Sequence, residues 1–162
     1  MAANARHEQA NITAGSGEAT RAAPQDDGSW KRPRRLKIRD VSLFTEVAGH
    51  GYPFLLMHGG PSADHTTMLQ FRQLADQFTL VFYDHRCNGR STGAPVSSMT
   101  FENLTADAEA LRQKLGFDRW AVLGHSFGGH VALEYALRYP ASLSHLVLRH
   151  RRRRPLVAAE RG

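Results

Sequence analysis

The chain has 162 residues, 41% of them hydrophobic and 22% charged, enough for one domain with a real core but hardly for two. Its one cysteine, Cys87, excludes an intrachain disulfide, and no apolar run approaches the roughly 20 residues needed to span a bilayer. The net charge of +6 is concentrated in RHRRRRPLVAAERG, residues 149 to 162, where six Arg face one Glu, so the rest of the chain is close to neutral.

Residues 1–35 read as a disordered N-terminal extension. Up to residue 30 the only large apolar groups are Met1, Ile12 and Trp30, too few to offset the entropy of ordering. The opening MAANARHEQANITAG has no continuous apolar segment of a secretory signal, and Glu8, Glu18, Asp26 and Asp27 argue against an acid-poor transit peptide. A cytoplasmic location is the expectation.

From Leu36 the pattern changes. Leu36, Ile38, Val41, Leu43, Phe44 and Val47 alternate with polar residues, with one break near Asp40, which predicts two half-buried strands joined by a tight turn. FLLMHGG is a short apolar run ending in glycines and suits a strand buried on both faces. Phe71, Leu74, Ala75 and Phe78 then recur with the spacing of one helical face. TLVFYD predicts a second buried strand, and Leu104, Ala108, Leu111 and Leu115 mark an amphipathic helix ended by Gly116. WAVLG predicts a third buried strand, FGGHVALEYALRY a helix stopped at Pro140, and SLSHLVL a fourth strand.

Buried strands alternating with helices predict an α/β domain over residues 36–148, with a mostly parallel sheet and helices on both faces. Ligand sites in such sheets lie at the carboxyl ends of the strands. HGGP, DHRCNGRS and GHSFGG each follow a strand there.

In Gly124-His125-Ser126-Phe127-Gly128 a serine sits between two glycines where a strand turns into a helix. Such a turn lifts a hydroxyl above the sheet and aims the next backbone N–H into the same space. HGGP, residues 58 to 61, can bring the Gly60 backbone to the same place from another loop. HGGP, DHRCNGRS and LGHSFGGHVALEYALRYP, in this order, resemble the N-terminal half of the α/β-hydrolase superfamily, in its serine-nucleophile, proline iminopeptidase-like branch of small-substrate hydrolases.

The resemblance implies Ser126 as nucleophile and the backbone N–H groups of Gly60 and Phe127 as the oxyanion hole, acting on a small ester or amide without a cofactor or a metal. It implies a mainly structural role for Asp84, Arg86, Gly89 and Ser91, and places Cys87 where the family usually has glycine. Serine rather than aspartate at position 126 disfavours the haloalkane and epoxide chemistries of the superfamily.

A serine hydroxyl needs an imidazole to take its proton and an acid to hold that imidazole. In this superfamily the order is Ser, acid, His. After Ser126 the acids are Glu134 and Glu160 and the histidines His130, His145 and His150, none in a suitable context. His130, Glu134 and Arg138 form a polar helical stripe, and His145 lies inside a strand. His58, His65 and His85 lie in loops that match the oxyanion and turn segments. The expectation is thus an incomplete α/β-hydrolase fold lacking its last strands, inactive or nearly so, followed by a basic irregular tail over residues 149–162. The alternative is a non-catalytic binding or assembly module whose arginine run binds polyanions. No aromatic residue interleaves with that run, so nucleic acid is disfavoured as a partner. No membrane partner is expected, and the open edge of the last strand invites self-association.

Overall fold

A computed structural model of the chain describes residues 32–150. Most of the predicted N-terminal extension and the arginine run from residue 151 lie outside the described residues. The strands are β1 (Arg34–Ile38), β2 (Val41–Ala48), β3 (Tyr52–Met57), β4 (Phe78–Tyr83), β5 (Trp120–His125) and β6 (Leu143–Arg149), with helices α1 (Phe101–Lys114) and α2 (Phe127–Arg138). They form one six-stranded sheet in the order β1-β2-β4-β3-β5-β6. The pairs β4–β3, β3–β5 and β5–β6 are parallel, and β1–β2 and β2–β4 antiparallel.

The break in alternation near Asp40 is a two-residue hairpin turn: Ile38 pairs with Val41, and Arg39 takes a φ of 52°. Strand β1 begins at Arg34, slightly ahead of the alternation. Strand β2 is buried along most of its length, including Thr45 and Glu46, because β1 and β4 flank it and the sheet is covered on both sides.

The helix expected over Phe71, Leu74, Ala75 and Phe78 does not form in that register. A 3-10 helix runs over His65–Leu74, and Phe78 opens β4, paired with Tyr52. The turn between β2 and β3 closes on this backbone: the His50 N–H donates to Ala75 O at 3.2 Å, and a Cβ on Gly49 would lie 2.5 Å from Phe78 O. This contact takes the chain out of the helix before Phe78, and no local spacing encodes it.

The two faces of the sheet are covered unequally. Leu104, Ala108 and Leu111 of α1 and Val131, Ala132 and Tyr135 of α2 pack on Leu55, Met57, Val81 and Val122 on one face. The other face, with Phe54, Leu56, Leu80, Phe82 and Leu123, is covered by Met68, Leu69, Phe71 and Leu74 of the 3-10 segment. Helix α1 starts where the Thr100 side chain accepts from the Asn103 N–H at 3.2 Å, and the chain leaves it through Gly116 at a φ of 78°. Among the described residues β6 is an edge strand, and Val147 and Leu148 on it are exposed, as are Leu133 and Leu137 on α2. No helix among the described residues is long and apolar enough to cross a membrane.

Candidate active site

Strand β5 ends at His125 and α2 begins at Phe127, so the turn between them is Ser126 alone, with φ 52° and ψ −116°. A side chain in this region is strained, and such a residue persists only where its surroundings hold it. Here two hydrogen bonds do so. The Ser126 N–H donates to Arg149 O on β6 at 3.1 Å, and Ser126 O accepts from the Gly129 N–H at 2.9 Å. The side chain is exposed and caps nothing.

The flanking glycines are required by close approach. A Cβ on Gly124 would lie 2.6 Å from the Gly129 Cα and 2.8 Å from the Ala132 Cβ, and one on Gly128 would lie 2.7 Å from the Met57 carbonyl carbon. Only glycine lets α2 sit this close to β5 and β3, which brings its N-terminus beside the serine. A Cβ on Gly59 would lie 3.1 Å from the Ser126 Cβ, so the HGGP loop runs directly against the turn. Gly60 follows at a φ of 63°, and Phe127, as the first residue of α2, has an N–H with no intrahelical acceptor.

The histidines of the two neighbouring loops are bound into the structure. His58 and His85 are fully buried, with ring centroids 4.3 Å apart. The His85 N–H donates to His58 Nε2 at 3.1 Å, His58 Nδ1 lies 3.0 Å from Gly59 O, and His85 Nε2 lies 3.3 Å from His58 O. Burial holds both imidazoles below the usual histidine range. His65 is buried with Nδ1 2.8 Å from Asp84 Oδ1 and Nε2 3.7 Å from Glu46 Oε2.

The DHRCNGRS loop is a hydrogen-bonded frame. Asp84 accepts from the backbone N–H groups of His65 (2.8 Å) and Arg90 (2.7 Å), and a Cβ on Gly89 would lie 2.6 Å from its carboxyl carbon. Burial pushes the Asp84 carboxyl up, but these bonds and His65 outweigh it and hold it below the usual range. Ser91 Oγ donates to Asp84 O at 2.7 Å and accepts from the Phe44 N–H at 3.0 Å. Arg86, its side chain wholly buried, meets Asp107 of α1 through Nε (2.7 Å) and Nη2 (2.9 Å), and Nη2 reaches Asp40 at 3.0 Å. Cys87 takes a φ of 62°, the left-handed backbone that glycine would adopt freely. The Ser62 N–H donates to Asn88 Oδ1 at 2.7 Å and ties the HGGP loop to this frame.

Past the serine, none of the described histidines is hydrogen-bonded to Ser126. His130 is exposed on α2, His145 is exposed on β6 with its ring 6.5 Å from that of Tyr52, and His150 is exposed beyond β6. Glu134 pairs with Arg138 at 3.3 Å, and Glu160 lies outside the described residues. Among the described residues no group of three His, Cys, Asp or Glu is placed to hold a metal ion.

Sequence reasoning missed the polar network behind α2. Trp120 Nε1 donates to the Tyr135 hydroxyl at 3.0 Å, which donates to Glu109 Oε2 at 2.7 Å; Arg112 holds both Glu109 oxygens at 3.0 and 2.6 Å. Asp107 did leave a signal, since it lies three residues after Leu104 and four before Leu111, on the apolar stripe of α1.

The strand-to-helix turn at Ser126, the two loops beside it and the mostly parallel sheet coincide with what comparison finds. A family model described as alpha/beta hydrolase fold matches residues 52–151. The chain belongs to this family. A proline iminopeptidase of Xylella fastidiosa is 39% identical over 110 residues, 66% of this chain and 35% of that protein. The crystal structure of a proline iminopeptidase-related protein from Thermus thermophilus superposes with a TM-score of 0.68 at 28% identity, over 72% of this chain and 43% of its own. An epoxide hydrolase, CorEH, superposes with a TM-score of 0.68 at 28% identity, over 74% and 42%. The chain thus spans less than half the length of these relatives.

Proposed function

We propose that the chain carries the nucleophile and oxyanion half of a serine hydrolase acting on small esters or amides. Ser126 Oγ attacks the carbonyl carbon, and the new oxyanion is received by the N–H groups of Gly60 and Phe127. Collapse breaks the C–O or C–N bond, the leaving group takes the proton removed from Ser126, and water later cleaves the acyl-serine. The observation that carries this reading is the exposed Ser126 held at φ 52° against the Gly59-Gly60 loop at the start of α2. Strain of this kind at a strand-to-helix turn is the setting in which a serine hydroxyl is presented above a sheet.

Similarity to an epoxide hydrolase does not favour epoxide opening here. A carboxylate that opens an epoxide forms an ester that water cleaves, whereas Ser126 would form an ether that water leaves intact.

The described residues bring no imidazole to Ser126, so the reading requires a base from outside them. Without one, turnover falls on the order of a millionfold, leaving residual acceleration from the oxyanion hole. A fluorophosphonate probe reports activation of the serine. The chain itself is expected to label weakly or not at all, and a longer chain that supplies the acid and histidine is expected to label at Ser126. Labelling of the longer chain that survives Ser126→Ala would refute the assignment.

A further inference from the structure

We infer that His58 and His85 are positioning residues that lock the Gly59–Gly60 peptide so that the Gly60 N–H faces Ser126. This rests on the oxyanion role proposed for Gly60 and gives it a structural cause.

The His85 N–H donates to His58 Nε2 at 3.1 Å, so that nitrogen carries no proton and the His58 proton resides on Nδ1. His58 Nδ1 therefore donates to Gly59 O at 3.0 Å. None of the described peptide bonds is cis, so the Gly60 N–H points away from the Gly59 carbonyl to which it is joined. Fixing one end of this peptide fixes the other. The preceding carbonyl is held in the same way, with His85 Nε2 as donor to His58 O at 3.3 Å. That choice leaves His85 Nδ1 buried without a partner among the described residues. A buried nitrogen left unpaired is a cost that the donor on the other side of the ring offsets.

Glycine makes the lock necessary. With no side chain on residue 59 or 60, the peptide between them flips more readily than any other in the loop, and a flip would present Gly59 O to the serine. Carbonyl oxygen facing a developing oxyanion repels it. The His58 imidazole serves this purpose only when neutral, because a proton on its Nε2 would confront the His85 N–H, whereas His85 needs only the proton on its Nε2. Burial favours the neutral form of both rings.

The test is nuclear magnetic resonance on the full chain labelled with nitrogen-15. His58 is expected to show a protonated Nδ1 and a bare Nε2, and Gly60 a single sharp amide signal. His58→Leu should split or broaden the Gly60 signal, and His58→Asn, whose amide nitrogen takes the place of Nδ1, should restore it. Should His58→Leu fail to fold, the tautomer in the unmodified chain still decides. An Nε2-protonated His58, or a Gly60 signal unchanged by His58→Leu, would overturn the inference. These signals do not depend on catalysis, so failure of the lock and failure of Ser126 as nucleophile are read separately.

Discussion

Replacing Gly128 by alanine puts a methyl group between α2 and β3 where there is no room for one. The added Cβ would lie 2.7 Å from the Met57 carbonyl carbon and closer still to the carbonyl oxygens of Met57 and His58, whereas ordinary contact begins near 3.4 Å. These atoms belong to the backbone of a central strand and its exit, so α2 must yield by more than half an ångström. A gap of that size forfeits a quarter to a half of each affected dispersion contact under Val131, Ala132 and Tyr135, all fully buried. Overpacking of this kind costs roughly 1–3 kcal/mol, of which better helix propensity returns at most about 1. Gly129 is the control, because a Cβ there meets its nearest atom, Gly124 O, at 3.5 Å. Urea unfolding followed by circular dichroism should therefore place Gly128→Ala below the parent and Gly129→Ala level with it or above. A Gly128→Ala chain as stable as Gly129→Ala would refute the claim that α2 and β3 touch through this glycine.

Four further outcomes can be measured. Asp107→Ala leaves the buried Arg86 guanidinium with only the exposed Asp40 as a carboxylate partner, which should lower stability by up to about 3 kcal/mol in the same assay; Arg86→Met with Asp107→Leu should recover most of it. Burial holds His58 and His85 below the ordinary histidine value in the folded chain, so below about pH 6.5 the unfolded chain takes up more protons than the folded one and stability should fall as the pH is lowered from that point. Asp84 and Glu109, held below their ordinary values, add losses only below about pH 5, where the unfolded carboxyls begin to take up protons, so a urea midpoint that stays flat between about pH 7 and 5 contradicts the lowered histidines. Ser126→Gly should raise stability by about 1 kcal/mol while abolishing any fluorophosphonate labelling, because glycine adopts φ 52° and ψ −116° freely. Sedimentation should show association of the chain through the β6 edge, weakened by Leu148→Glu, since Leu148 on that strand is 50% exposed; a monomer at every concentration would count against this.

The strand runs were legible because each is bounded by glycines or polar residues and is short enough to exclude a helix. WAVLG followed by HSFGG gave both the strand and its abrupt end, since Gly124 and Gly128 are needed only where two backbones nearly touch. The 3-10 segment over His65–Leu74 was not legible, because what stops it is the β2–β3 turn arriving from elsewhere in the chain. His58 and His85 raised a similar difficulty. Their spacing suggested loop histidines near the serine, but their tautomers follow from a contact between residues 27 positions apart. Glu109 was invisible for a related reason: its partners Tyr135 and Ser142 come from a later helix and turn.

Strand β6 has a part in the site that its position at the sheet edge conceals. Arg149 O, at the last residue of the strand, accepts the Ser126 N–H at 3.1 Å and lies 3.2 Å from His125 Nδ1. The strained serine is therefore clamped on one side by α2 and on the other by an edge. Terminal residues of edge strands fray at little cost, having no ladder on their outer side. Whatever pairs with the outer edge of β6 stiffens Arg149, and through it the backbone angle that presents the Ser126 hydroxyl. On the proposed reading, then, a partner for this edge and a base, neither of which the described residues supply, act on the same serine, the one through its backbone and the other through its hydroxyl. A base supplied without a partner for β6 would meet a serine less firmly held than the sheet allows.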